Sequence, residues 1–222
     1  MSKDNEILTI DVVSDVVCPW CFLGKRRLAR ALAKEEGDAI AVRWRPYQLD
    51  PTIPPGGIDR KAYLNNKFGD GGRLEEIHER LRALGAEEGV AYAFDKIERA
   101  PNTLDAHRLI RWASASGAQD AVVEKLFGLY FEQGRDIGDR KLLVETAREA
   151  GMDFEAVEQF LADGADEVEV RQEIAQAQSL GVTGVPFFIF ASRFGVPGAQ
   201  SAEVLSKAIE QARKSLAGIE AA

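Results

Sequence analysis

Cys18-Pro19-Trp20-Cys21 lies between a β-branched run and a helical pattern, and that junction limits the fold more than any other feature of the chain. Residues Ile7 to Val13 are rich in β-branched side chains and read as a strand. Ser14 to Val17 forms a loop, and Cys18 opens a helix that runs to about Glu36 and is ended by Gly37. Pro19 falls at the first helical position, where a missing N–H loses nothing. Ile40 to Tyr47 reads as a second strand, with Val42 and Trp44 alternating against Arg43 and Arg45. A strand–helix–strand start of this kind is a parallel crossover, right-handed almost always. Both cysteines therefore sit at the mouth of its helix.

Asp50 to Gly57 is a turn-rich break, after which helical periodicity takes over. Leu74, Ile77, Leu81 and Leu84 share one helix face. Asn102 is placed to cap the next helix, with Asp105 three residues on. Val122, Leu126 and Leu129, with Val123, Phe127 and Phe131, mark another. Asp139 starts a helix that stops at Gly151; Asp153 to Leu161 and Asp166 to Leu180 follow, the latter stopped by Gly181. Phe187 to Phe190 reads as a strand, Ser192 to Val196 as its hairpin partner, and Ser201 to about Ala217 as a closing helix, with Gly218 to Ala222 frayed. The expected class is α/β, with a core first part at 1–57, a helical insertion at 58–164 and a core second part at 165–222. The length of 222 residues suits one domain carrying such an insertion.

A net charge of −8 argues against nucleic-acid partners, because phosphate binding needs clustered Lys and Arg. The N-terminal apolar run is too short for a secretory signal. The longest apolar stretch, Val185 to Ala191, is far below the ~20 residues that span a bilayer. A soluble, cytoplasmic protein without membrane contact is expected. In a reducing cytosol two cysteines three apart are seldom a structural staple. A zinc site would need further ligands, and the only histidines, His78 and His107, are distant in sequence, so no metal is expected.

The thiolate, not the thiol, attacks a disulfide. Free N–H groups and the dipole at a helix N-terminus favour a negative sulfur there, which makes Cys18 the nucleophile. Cys21, one turn on over nearly the same face, becomes the resolving cysteine, and the uncharged Pro19 and Trp20 tune the pair. Gly181-Val182-Thr183-Gly184-Val185-Pro186 precedes the apolar strand. A cis Val185–Pro186 bond would leave the Val185 backbone free to pair with a substrate, although a trans turn is the commoner arrangement. Asp15 reads as a carboxylate that shapes the loop, and His107 as a packed histidine with a sharper alternative facing the cleft. His78, amid Glu75, Glu76, Glu79 and Arg80, reads as solvated, as does the acidic run from Asp163 to Glu173. Trp44, Pro46 and Tyr47 read as core.

The order of elements, with Ser14 to Cys21, Asn102 to Arg108, Val182 to Phe188 and Gly198-Ala199-Gln200, resembles the DsbA family of thioredoxin-fold proteins and, within it, the FrnE-like branch. The resemblance spans nearly the whole chain. It implies a thioredoxin core with a helical insertion over the active site, and a cis Pro186 facing the Cys18 sulfur. It also implies a thiol–disulfide oxidoreductase acting on protein or small-molecule thiols and disulfides, with no tightly bound cofactor beyond its own redox-active disulfide. Thr183, Val185 and Pro186 would meet the substrate, with Asp15, Asn102 and His107 behind the reacting groups. The related 2-hydroxychromene-2-carboxylate isomerases and kappa-class glutathione transferases usually carry serine at the position of Cys18. A glutathione-dependent isomerase or transferase is therefore the alternative, glutathione remains a candidate co-substrate, and a non-enzymatic chaperone-like module is the third reading.

Overall fold

A computed structural model describes residues 7–35, 39–69 and 72–218. The order is β1 (Leu8–Ser14), α1 (Pro19–Leu32), β2 (Ile40–Pro46), β3 (Ile58–Asp59), α2 (Arg60–Phe68), α3 (Arg73–Glu87), a short 3-10 turn (Phe94–Lys96) and β4 (Arg99–Ala100). There follow α4 (Leu104–Ala113), α5 (Gln119–Phe131), α6 (Arg140–Glu149), α7 (Phe154–Asp163), α8 (Glu167–Ser179), β5 (Phe187–Phe190), β6 (Phe194–Pro197) and α9 (Ala202–Leu216).

The main sheet has the order β2-β1-β5-β6. β1 runs parallel to β2, with Leu8 opposite Ile40 and Ser14 opposite Pro46. β5 pairs antiparallel with β1 and with β6. Because side chains alternate across a pleated strand, the two faces of β1 and β5 bury different sets. Leu8, Ile10, Val12, Phe188 and Phe190 join the large core with α1 and α9, whereas Val13, Phe187 and Ile189 pack with Tyr47, Ala177 and Val182. Asp11, on this second face, is held by Arg43 and Arg45 across the strand pair. The α/β thioredoxin-like architecture is thus present, and Trp44, Pro46 and Tyr47 are buried.

Several local expectations need correction. α1 ends at Leu32, with Ala33 as its cap, well before Glu36; Glu36 and the stop at Gly37 lie outside the described residues, as do Glu220 to Ala222 and Ile219. The residue at the cap of α4 is Thr103; Asn102 assists from one position earlier, its Oδ1 accepting from Leu104 N at 2.9 Å. Asp105 turns to Arg108 and Arg140 instead. The hairpin partner starts at Phe194, because Ala191 and Ser192 have positive φ and make the turn. β3 and β4 form a separate two-stranded ribbon that no alternation in the sequence announces. The acidic run is not simply solvated: Asp166 and Glu173 pair with Arg111, and Val170 between them is fully buried.

Candidate functional site

Cys18 is the cap residue of α1, extended at φ −91° and ψ 113°, with Pro19 at the first helical position. Its own N–H donates to the Asp15 carbonyl at 2.9 Å, and its carbonyl accepts from Cys21 N at 3.0 Å and Phe22 N at 3.3 Å. The cysteines are free thiols. Cys18 retains only 3% exposure and Cys21 1%. Burial pushes the Cys21 thiol well above its usual range, and the adjacent Cys18 sulfur acts the same way through a hydrogen bond and its charge. The Ser14 hydroxyl and the Asp15 backbone pull weakly in the opposite direction.

The loop before β5 closes over this first turn. The Val185–Pro186 bond is cis, and the Cys18 thiol donates to the Val185 carbonyl at 3.6 Å. Pro186 also packs on α1: a Cβ on Gly24 would stand 3.0 Å from its Cγ and 3.2 Å from Phe188 Cζ. Thr183, by contrast, is exposed and does not reach the Cys18 pocket. Asp15 is buried behind the motif and spends both oxygens there. Oδ2 accepts from Leu49 N at 2.8 Å, and Oδ1 lies 3.3 Å from His107 Nε2. His107 is absent from the lining of the Cys18 cavity; with Ile110 and Arg111 it lines a separate polar cavity of about 450 Å³. Asn102 ties the Gln48–Ile53 segment to α4, its amide donating to Ile53 O and its Oδ1 accepting from Gln48.

Cys18 opens onto a cavity of about 380 Å³ roofed by α2 and α3. Its lining is largely apolar and includes Trp20, Leu49, Ile53, Leu64 and Val185. Reasoning from sequence missed three contributors. His78 is not solvated but 8% exposed, stacked on Phe94 with ring centroids 4.0 Å apart, and it lines the cavity. Burial lowers its pKa, with the charge of nearby Arg60 adding to the effect. Arg60 lines the same wall. Tyr92, under the site, donates to the Pro19 carbonyl at 2.5 Å and so couples the segment after α3 to the first turn of α1. The charged neighbours of His78 masked its burial, whereas the aromatic spacing Tyr92–Phe94 was a legible signal. Among the described residues, no group of three or more His, Cys, Asp or Glu could hold a metal ion, and no helix is long and apolar enough to cross a membrane.

Known proteins share this fold. A Streptomyces coelicolor protein described as a probable DsbA oxidoreductase superposes with a TM-score of 0.85 at 34% identity, over 97% of this chain and 92% of that one. A 2-hydroxychromene-2-carboxylate isomerase superposes at 0.70 with 19% identity, over 96% of this chain and 100% of that one. The cytosolic disulfide reductase DsbM of Pseudomonas aeruginosa, with GSH, does so at 0.63 with 20% identity, over 95% and 98%. These last two show a shared fold. In sequence the chain is 27% identical over 210 residues to the uncharacterised protein YwbO of Bacillus subtilis, covering 92% of this chain and 97% of that protein. The model of the DSBA-like thioredoxin domain matches residues 9–210, and the chain belongs to that family.

Proposed function

We propose that the protein is a dithiol–disulfide oxidoreductase of a thiol-reducing cytoplasm, with Cys18 as nucleophile and Cys21 as resolving cysteine. The observation that carries this reading is the pair of free thiols on the first turn of α1, one facing a cavity and the other fully enclosed behind it. In the reducing direction the Cys18 thiolate attacks one sulfur of a disulfide. A Cys18–substrate S–S bond forms, the substrate's own S–S bond breaks, and the first substrate sulfur leaves as a thiolate. Cys21 then gives up its proton and attacks the Cys18 sulfur, expelling the second substrate thiolate. Two electrons and two protons pass to the substrate, and the Cys18–Cys21 disulfide remains. A low-molecular-weight thiol pool restores the dithiol.

Pro19 and Trp20 border the reacting sulfur, with Trp20 presenting half-buried apolar surface. Asp15, Asn102 and His107 act as positioning residues, fixing the segments on either side of the motif. Val185 meets the substrate beside Cys18 and Pro186 braces that loop against α1, while Thr183 is exposed outside the cavity. The helices of 58–164 serve in this reading as an inserted roof on a core built from 1–57 and 165–222. Cys21→Ser should accumulate mixed disulfides and Cys18→Ser should abolish exchange; the reversed pattern would overturn the role assignment.

The largely apolar cavity beside Cys18 also favours a second reading, glutathione-dependent isomerisation or transfer on a small substrate. Retention of glutathione-dependent turnover by Cys18→Ser separates the two, since serine cannot exchange disulfides.

A further inference from the structure

The cavity at Cys18 has a charge pattern that dithiol chemistry alone does not require. Two carboxylates line it, Asp15 and Asp50, and both are engaged. Asp15 is held by Leu49 N and His107. Asp50 accepts from Thr52, and its pKa is lowered by hydrogen bonds with Thr52 and Tyr63 and by the charge of Lys67. Arg60 and Lys67 of α2 and His78 of α3 line the same space. Arg60 is half-buried and forms no ion pair among the described residues. Its Nη1 donates to Phe94 O at 3.4 Å, and its guanidinium stands 5.8 Å from the Phe94 ring. Lys67 reaches Tyr63 from the exposed side. A guanidinium without a carboxylate partner, lining a largely apolar cavity whose two carboxylates are already engaged, is the local complement of an anion.

Shape adds a second constraint. A cavity of about 380 Å³ falls in the range that encloses a small ligand, ~300–1,000 Å³. An extended polypeptide needs an open edge and a free backbone partner. Here Cys18 is only 3% exposed, at the base of the cavity.

Building on the dithiol reading above, we propose that the Cys18 cavity selects low-molecular-weight disulfides with an apolar, carboxylate-bearing body, the carboxylate being held by Arg60. The exchange steps and their balance are those already given. The apolar body lies against the wall that includes Leu64 and Trp20, and its sulfur meets Cys18.

The test compares two aromatic disulfides, the anionic dithiobis(nitrobenzoate) and the neutral dithiodipyridine, with insulin as a protein disulfide, using the intact chain. The expected result is that Arg60→Gln lowers the ratio of the anionic to the neutral rate constant by about tenfold, the value of one charge-assisted hydrogen bond. Arg60→Lys should retain most of that ratio, and insulin should be the slowest of the three relative to its uncatalysed reaction. An unchanged ratio in a folded Arg60→Gln protein, or insulin as the preferred substrate, would overturn the proposal. Should Arg60→Gln not fold, wild-type protein supplies the readout: nitrobenzoate should slow alkylation of Cys18 and nitrobenzamide should not, and equal protection by both refutes the inference. Failure of Cys18 to react with any disulfide would instead sink the dithiol reading itself.

Discussion

Replacing Gly85 by alanine would drive a methyl group into the ring of Tyr92. A Cβ there would stand 2.6 Å from Tyr92 Cε2, 2.7 Å from Cδ2 and 3.0 Å from the Val90 carbonyl. Relief to ordinary contact requires the ring to move by about 0.8 Å, in an interior packed too densely to yield freely. Tyr92 is 7% exposed, stacked on Phe94 with centroids 5.0 Å apart, and meets Phe22 and Phe131 edge-on. The shift would also weaken its hydrogen bond to Pro19 O. Overpacking costs roughly 1–3 kcal/mol and the hydrogen bond about 0.5–1.5, offset by about 1 kcal/mol of improved helix propensity. A net loss of about 0.5–3.5 kcal/mol follows on those magnitudes. Chemical denaturation should show a lower midpoint with an unchanged slope. In a Tyr92→Leu background the ring is gone and only the Val90 contact remains, so Gly85→Ala should there be nearly neutral or stabilising. Equal costs in both backgrounds, or a stabilised single variant, would refute the reasoning.

Other consequences are open to the same kind of check. His78 has a folded-state pKa below its ordinary 6.5. The unfolded chain therefore takes up this proton first as pH falls, so the stability this histidine contributes is present above about pH 6.5 and declines as pH falls through the lowered folded-state value. His78→Phe, which preserves the stack on Phe94, should flatten that part of a midpoint-versus-pH curve. Arg108 is fully buried, donating to the carbonyls of Ala165 and Phe160 and to Asp105. Lysine cannot reproduce that fork, and Arg108→Lys should lower stability by roughly 2–5 kcal/mol in denaturant titration. Mass-resolved alkylation should modify Cys18 first, and the rate at Cys21 should still be rising above pH 9.0, because burial holds that thiol protonated. A Cys21 rate already on a plateau at lower pH would contradict its enclosure.

Elements fixed by neighbours in the chain were legible. The β-branched run before Cys18, Pro19 at the helix start, and the aspartates at 139 and 153 all declared their places, the last two accepting from Lys141 N and Ala156 N. What was hidden depends on contacts distant in sequence. His78 is flanked by charges, yet it is buried because Phe94, sixteen residues on, supplies a ring to stack against. The two-residue strands β3 and β4 are too short to carry a period, and Ile58 finds Ala100 only once α2 and α3 have looped out between them. The thiol pair could be read from spacing, but not the cavity it faces, whose walls come from separate segments at residues 15–20, 49–53, 60–68, 74–81, 100–103, 130–131 and 184–185.

A redox titration of the Cys18–Cys21 pair against buffers of defined potential bears most directly on the whole account, with free thiols counted at each step. Reversible interconversion of two thiols and one intramolecular disulfide is the predicted outcome, following a two-electron slope of about 30 mV per tenfold change in ratio. Thiols that stay reduced at every potential, or that oxidise only between molecules, would contradict it.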